Sequence, residues 1–268
     1  MTLQQLTDSN QIAEYLRQDI YLHLYGLGDL DEFYRPYTTW YGNRKGGEIT
    51  ALALLYHGEE PPVLLGLSRD PEPLQNLLRE LLPELPLVFY AHLSPGVESV
   101  FADSCRVIGH GLHQKLALRD RSALEGVNTA NTIPLTVRDA EKLLNFYQES
   151  YPGNWFNPRM LETRQYFGLE KQGKLVSAAG VHVYSPEYGV AALGNIATLP
   201  NFRGQGLAAR VTARCCLSLL QKVDHIGLNL LAENIPARAC YSKLGFEDAA
   251  QYGEYTIRKN PQNPGKIS

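Results

Sequence analysis

The segment Arg203-Gly204-Gln205-Gly206-Leu207-Ala208 joins a cation and two glycines to an amphipathic stretch carrying Leu207, Val211, Ala213, Cys216, Leu217 and Leu220. A strand is expected just before it, over 190–198. A glycine-bearing turn that feeds a helix leaves several backbone N–H groups without partners, aimed outward and backed by the helix dipole. Such a turn is an anion site suited to a diphosphate. Side chains at 204 and 206 would block the phosphates, so glycine has a physical reason there, and Arg203 adds a charge-assisted contact. A plain strand-to-helix turn with two glycines has the same sequence, and the segment alone leaves both readings open.

A second cluster is Asn234-Ile235-Pro236-Ala237-Arg238-Ala239-Cys240-Tyr241-Ser242-Lys243-Leu244-Gly245-Phe246. Asn234 closes a strand and caps a helix with Pro236 in its first turn. Gly245 suits the helix C-terminus, and Phe246 restarts the core. Tyr241, within that helix, is read either as a half-buried packing residue or as a proton donor.

Periodicity supplies the elements that must position these residues. Helices are expected at 9–16, 72–82 and 96–103, strands at 49–56, 62–67 and 85–93, and one or two strands over 106–118. Residues 119–131 are polar and aperiodic, which places a linker at 121–130. Beyond it, Thr136 and Asp139 are spaced as a capping box opening a helix over 136–151. A second helix is expected at 158–169, then a strand hairpin, 174–184 with 188–198, around Ser185-Pro186-Glu187. A helix at 206–220, a strand at 226–232, a helix at 236–244 and a strand at 252–258 complete the chain. Residues 85–118 and 224–257 both read strand, short helix, strand, at an offset of 140 residues that sets Phe101 against Tyr241 and Ser94 against Asn234. This order suggests an internal duplication.

Composition narrows the partners. The chain has 268 residues, 44% hydrophobic and 20% charged, with a net charge of −3. That is ordinary for a soluble globular protein and argues against general affinity for nucleic acid. No apolar run is long enough to span a bilayer, and Met1-Thr2-Leu3-Gln4-Gln5 lacks the character of a signal peptide. The four cysteines, Cys105, Cys215, Cys216 and Cys240, have no metal-ligand spacing. The expectations are no metal, no nucleic acid, no membrane, and reduced thiols in a cytoplasmic monomer or homodimer.

Taken together, the two clusters resemble the GNAT superfamily of N-acyltransferases. Arg203, Gly206 and Ala208 match its Gln/Arg-x-x-Gly-x-Gly/Ala signature. Asn234, Ala237, Tyr241, Gly245 and Phe246 match its later Asn-x-x-Ala-x-x-x-Tyr-x-x-x-Gly-Phe stretch. The resemblance covers about residues 131–259. A weaker half before a well-marked one is similar to tandem-GNAT proteins, including the glycine N-acyltransferase-like branch. The implied fold is α/β with two GNAT-like domains in tandem, each a mixed, mostly antiparallel sheet flanked by helices. Residues 1–120 would be a degenerate first domain and residues 131–268 the catalytic one.

The resemblance implies transfer of an acetyl group from acetyl-CoA, or of another acyl group from its CoA ester, to the primary amine of a small molecule or peptide. Gly204, Gln205, Gly206, Leu207 and Ala208, with Arg203, would hold the diphosphate. Ile196, Ala197 and Thr198 would run along the pantetheine arm, a strand N–H would face the thioester oxygen, and Asn234 would brace the arm or the strand ends. Tyr241 matches the family's general acid. Many members carry a glutamate base on the fourth strand, but Ala191-Ala192-Leu193-Gly194-Asn195 has no carboxylate, and Asn195 cannot take a proton. The base would be His182, Glu233 or none.

In the first half Ser68-Arg69-Asp70-Pro71-Glu72-Pro73 replaces the glycine turn and Phe101 replaces the tyrosine, the marks of a degenerate copy. Two other readings stay open. One is a non-catalytic acyl-CoA-binding module. The other is a dinucleotide site built on Gly204, Gly206 and Ala209 with Glu233 as the ribose acid, which leaves too few residues for the rest of its sheet. Tyr151, Trp155, Phe156 and Tyr184 would line an acceptor pocket or belong to the core.

Overall fold

A computed structural model describes residues 3–260; the outer ends of the expected domains, 1–2 and 261–268, lie outside the described residues. The chain divides into two compact units. The first takes in residues up to Gln114 together with those from Ala250 on, and the second takes in Lys115–Ala249.

In the first unit β1 (Gln4–Leu6), β2 (Thr38–Lys45), β3 (Glu48–Tyr56) and β4 (Val63–Gly66) pair antiparallel in sequence, and β5 (Val88–Leu93) runs parallel to β4. α1 (Ser9–Leu16) starts where Asp8 accepts from the N–H groups of Asn10 and Gln11, and it buries Ile12, Ala13 and Leu16. α2 (Leu24–Asp29) follows. α3 (Pro71–Leu81) opens on Asp70 and Pro71 and turns Leu74, Leu77, Leu78 and Leu81 into the core with Phe89 and Phe101. The strand beside β5 comes from the far end of the chain: residues 253–258 of β12 (Phe246–Lys259) pair antiparallel with 88–93, while β6 (Cys105–Leu118) follows β12 in the sheet.

In the second unit the order is β11-β10-β9-β8-β7, from β7 (Thr132–Leu135), β8 (Tyr166–Lys171), β9 (Lys174–Ser185), β10 (Val190–Thr198) and β11 (His225–Leu231). All these pairs are antiparallel except β10 with β11. The capping box at Thr136 and Asp139 is present, leading through a 3-10 turn into α4 (Ala140–Ser150). α5 (Leu207–Leu219) buries Leu207, Val211, Cys215, Cys216 and Leu219, and α6 (Ile235–Ser242) is capped by Asn234. Both adjacent cysteines, Cys215 and Cys216, are buried.

The helix expected at 158–169 is a 3-10 turn, Pro158–Thr163, followed by β8. Arg164 at φ +56° ends the turn, and Tyr166, Phe167 and Leu169 then pack as a strand beside β9. Apolar spacing in so short a run suits either element, and pairing decided. The polar segment 121–130 is tied down: Leu124 is fully buried, and Arg210 donates to the carbonyls of Asn128 and Ala130.

Candidate active site

The second unit's sheet changes character along β10. The parallel ladder joins 190–193 to 225–228, while β10 continues beside β9 to Thr198. Gly194 faces Gly180 and Ala197 faces Ala178, so Asn195 and Ile196 together oppose the single residue Ala179. This is a β-bulge, and Asn195 sits in it at φ +53°. Beyond the bulge lie Ala197 and Thr198, whose carbonyls are already engaged: Ser177 Oγ donates to Ala197 at 3.1 Å and Arg203 Nε to Thr198 at 3.1 Å.

The turn that follows is open. Gly204 and Gly206 have φ +74° and +72°, and a Cβ added at either would meet nothing within 4 Å. Gly206 is the N-cap of α5, with no side-chain cap and no acidic residue in the first turn. The first N–H groups of a helix have no partner within it; here they face an exposed turn containing Gln205, with Leu207 buried behind and Ala208 half-buried. Arg203 donates to two main-chain carbonyls, Thr198 O and Ser150 O (3.2 Å), so it ties the end of β10 to the C-terminus of α4. The cation beside the loop is Lys171, whose Nζ donates to Gln205 Oε1 at 2.7 Å and lies 5.4 Å from the Phe202 ring centre. No local pattern marked Lys171, which reaches the turn from the end of β8.

Asn234 accepts from Ala237 N–H at 3.2 Å and so caps α6. Tyr241 on that helix is 8% exposed and edge-on to Phe246, with ring centres 6.0 Å apart. Burial, with Cys240, Tyr151 and Cys216 near, pushes its phenol up, and it stays protonated at neutral pH.

His182 is the extra residue of a second bulge, on β9, because Ala192 pairs with Val183 and Leu193 with Val181. Its ring lies directly on Gly194: a Cβ there would come within 1.9 Å of the imidazole Cδ2. The half-buried imidazole fills the space of a side chain at 194. Asn195 is turned inward, with its amide donating to the Tyr166 hydroxyl at 3.0 Å. Glu233 is exposed between β11 and α6. Tyr151 and Trp155 are exposed, whereas Phe156 packs its ring against Tyr147 and Tyr166.

Residues 136–246 match the acetyltransferase (GNAT) family. The second half of this chain carries a GNAT acetyltransferase domain. Acetyl-CoA is the co-substrate of that family. The fold extends over both halves. The tandem GNAT protein from the clavulanic acid biosynthesis pathway is 18% identical, with 98% of this chain and 99% of that one covered, at a TM-score of 0.58. A GNAT-family acetyltransferase from Colwellia psychrerythraea is 13% identical over 97% and 100%, at 0.55. A Drosophila protein is 14% identical over 97% and 98%, at 0.71. The fold is that of GNAT proteins, a tandem one among them. These likenesses carry the fold, and none of them singles out the glycine N-acyltransferase-like branch. No curated protein matches the chain in sequence.

Among the described residues no group of three or more His, Cys, Asp or Glu could hold a metal ion. No helix there is long and apolar enough to cross a membrane.

Proposed function

We propose that this GNAT protein moves an acetyl group from acetyl-CoA to the primary amine of a small molecule or peptide, by direct attack on the thioester. The observation that carries the reading is the uncapped turn at Gly204 and Gly206, with open space at both missing side chains. Acetyl-CoA suits the residues present. Its diphosphate takes the first N–H groups of α5, including those of Leu207 and Ala208, and Lys171 adds a positive charge beside Gln205. The pantetheine arm lies along Ile196, Ala197 and Thr198, and Asn234 holds the α6 end of the site.

In the reaction the amine nitrogen bonds to the thioester carbonyl carbon, and the carbon–sulfur bond breaks with its electron pair going to sulfur. His182 takes the proton that the nitrogen loses, and Tyr241 gives one to the sulfur. A backbone N–H past the β10 bulge stabilises the charge that develops on the carbonyl oxygen. Proton exchange with water restores both side chains. Seated on Gly194, the imidazole stands in for the carboxylate that many members place on this strand.

The test is thiol release from acetyl-CoA with a panel of polyamines, amino acids, amine-bearing antibiotics and peptides. Turnover with one class supports the reading and names the acceptor. CoA binding without thiol release from any amine would favour a non-catalytic binding module, and no CoA binding would overturn the site.

A further inference from the structure

Asn195 is an odd residue for the middle of a strand. It holds a left-handed backbone conformation that few non-glycine residues adopt, and within β10 it is 4% exposed. Its carbonyl and its side-chain amide are both engaged. The Tyr147 hydroxyl donates to the Asn195 carbonyl at 2.6 Å. The Asn195 amide donates to the Tyr166 hydroxyl at 3.0 Å and reaches Met160 Sδ at 3.5 Å. The Tyr166 hydroxyl then donates to Val181 O at 2.9 Å, next to His182 on β9. Tyr147 is buried, and burial pushes its phenol well up, so it remains a donor.

Two glycines complete the arrangement. The Tyr166 ring lies on Gly180, where a Cβ would sit 2.1 Å from ring carbon Cε1, and His182 lies on Gly194. Gly180 and Gly194 are paired across the two strands, one residue before the bulge. The bulge, both rings and the departure of β10 from β11 thus share one short stretch of chain.

We propose that Asn195 is a positioning residue: with Tyr147 and Tyr166 it locks the β10 bulge, fixing both the strand N–H groups offered to the thioester and the seat of His182. The inference rests on the acetyl-transfer reading above. It gives the inward-facing asparagine a function without asking it to move a proton. Because the catalytic groups are held through backbone geometry, unlocking the bulge changes turnover while the diphosphate turn, eight or more residues away in sequence, keeps its affinity.

Three variants test this. Asn195→Ala loses both the amide and the ease of the left-handed conformation, Asn195→Gly loses the amide only, and Tyr147→Phe removes one hydroxyl from the bulge carbonyl. Each is assayed for kcat and amine KM, for CoA affinity by calorimetry, and for the His182 ring signals and their titration by NMR. Asn195→Ala is expected to lower kcat on the order of tenfold to a hundredfold, with CoA affinity within about twofold of the parent. Asn195→Gly should recover part of that loss, and the His182 signals should shift most in the alanine variant. Tyr147→Phe should show a smaller loss of the same kind, and it decides the matter if Asn195→Ala fails to fold. Unchanged kcat with unchanged His182 signals would overturn the proposal, as would losses confined to CoA affinity or melting temperature. Should the parent protein turn over no amine, the acetyl-transfer reading fails, and the His182 signals alone decide whether Asn195 seats the ring.

Discussion

The strand-to-helix turns after β4 and after β10 share an order of elements, a parallel-paired strand, a turn and an amphipathic helix, yet they treat the helix N-terminus in opposite ways. After β10 the turn has two left-handed glycines and no side-chain cap. After β4 the Asp70 carboxylate accepts from Glu72 N–H at 3.3 Å, and Pro71 supplies no N–H at all. Ser68 fills the remaining space: its N–H donates to Ser94 Oγ at 2.9 Å, its hydroxyl donates to Asp70 O, and Asp70 N–H donates to it in return. The strands differ too. All four residues of β4 pair with β5, so β4 ends with its ladder, whereas β10 outruns its ladder with β11 through a bulge. Phe101, fully buried against Phe89 at 5.7 Å, stands where the second half has Tyr241. One topology thus gives an open turn or a closed cap according to a few side chains, which is why the fold alone does not assign the chemistry.

The sharpest way to break the comparison is to close the open turn. Gly206→Val puts a branched side chain into the space in front of α5 and imposes a backbone angle that valine rarely adopts. CoA binding should fall below detection by calorimetry while the variant still unfolds cooperatively, with a stability loss on the order of 1–3 kcal/mol from the strained backbone. Parent-like affinity would remove the turn from the site.

Making the second half resemble the first at its tyrosine is the next step. Tyr241→Phe should lower kcat by roughly a hundredfold with CoA affinity nearly unchanged, because a positioned acid acts on the leaving group and not on the diphosphate. Full turnover in this variant would mean that water protonates the sulfur.

The first unit uses a half-buried charge structurally. The Glu254 carboxylate accepts from Tyr90 at 2.5 Å and Tyr252 at 2.7 Å, with ring nitrogens of His92 and His113 each 3.5 Å away. Burial raises this carboxyl, but the two histidines and the two hydroxyls outweigh it and hold the group below its usual range. A depressed carboxylate stabilises the fold above its unfolded value of about 4.3, and that contribution is lost as pH falls through the folded value. Glu254→Gln should cost about 1–3 kcal/mol in urea unfolding at neutral pH, and the gap from the parent should narrow below about pH 4. CoA affinity at neutral pH should not move; a change there would tie this cluster to the site.

What was legible in the sequence was chemistry that acts locally. The glycines of the turn, the Asn234 cap, the Thr136–Asp139 box and the leucine face of α3 each need only neighbours in sequence. What was not legible depends on partners far along the chain. β2 carries no clean alternation and pairs with β3 over a bulge, so it went unread. The return of β12 to pair with β5 joins residues more than 150 positions apart. The positive charge of Arg203 suggested a phosphate contact, but only the folded chain brings it to the Ser150 and Thr198 carbonyls. Asn195 showed the missing carboxylate, and its hydroxyl partners lie on α4 and β8.

The smallest expected effect comes from trying to open the closed turn. Asp70→Ala removes the N-cap of α3 and should cost about 1 kcal/mol, the usual loss for such a cap. It should not create a CoA site. Pro71 still lacks an N–H, Glu72 keeps a negative charge in the first turn of the helix, and Ser68 remains bonded to Ser94 across the end of β4. A diphosphate needs several donors at once, and removing one acceptor returns only the Glu72 N–H. Calorimetry with CoA on Asp70→Ala, in a background where Gly206→Val has silenced the second half, isolates the first half. Heat of binding in that double variant would show that a single cap closes the first turn, and the difference between the halves would then rest on Asp70 alone.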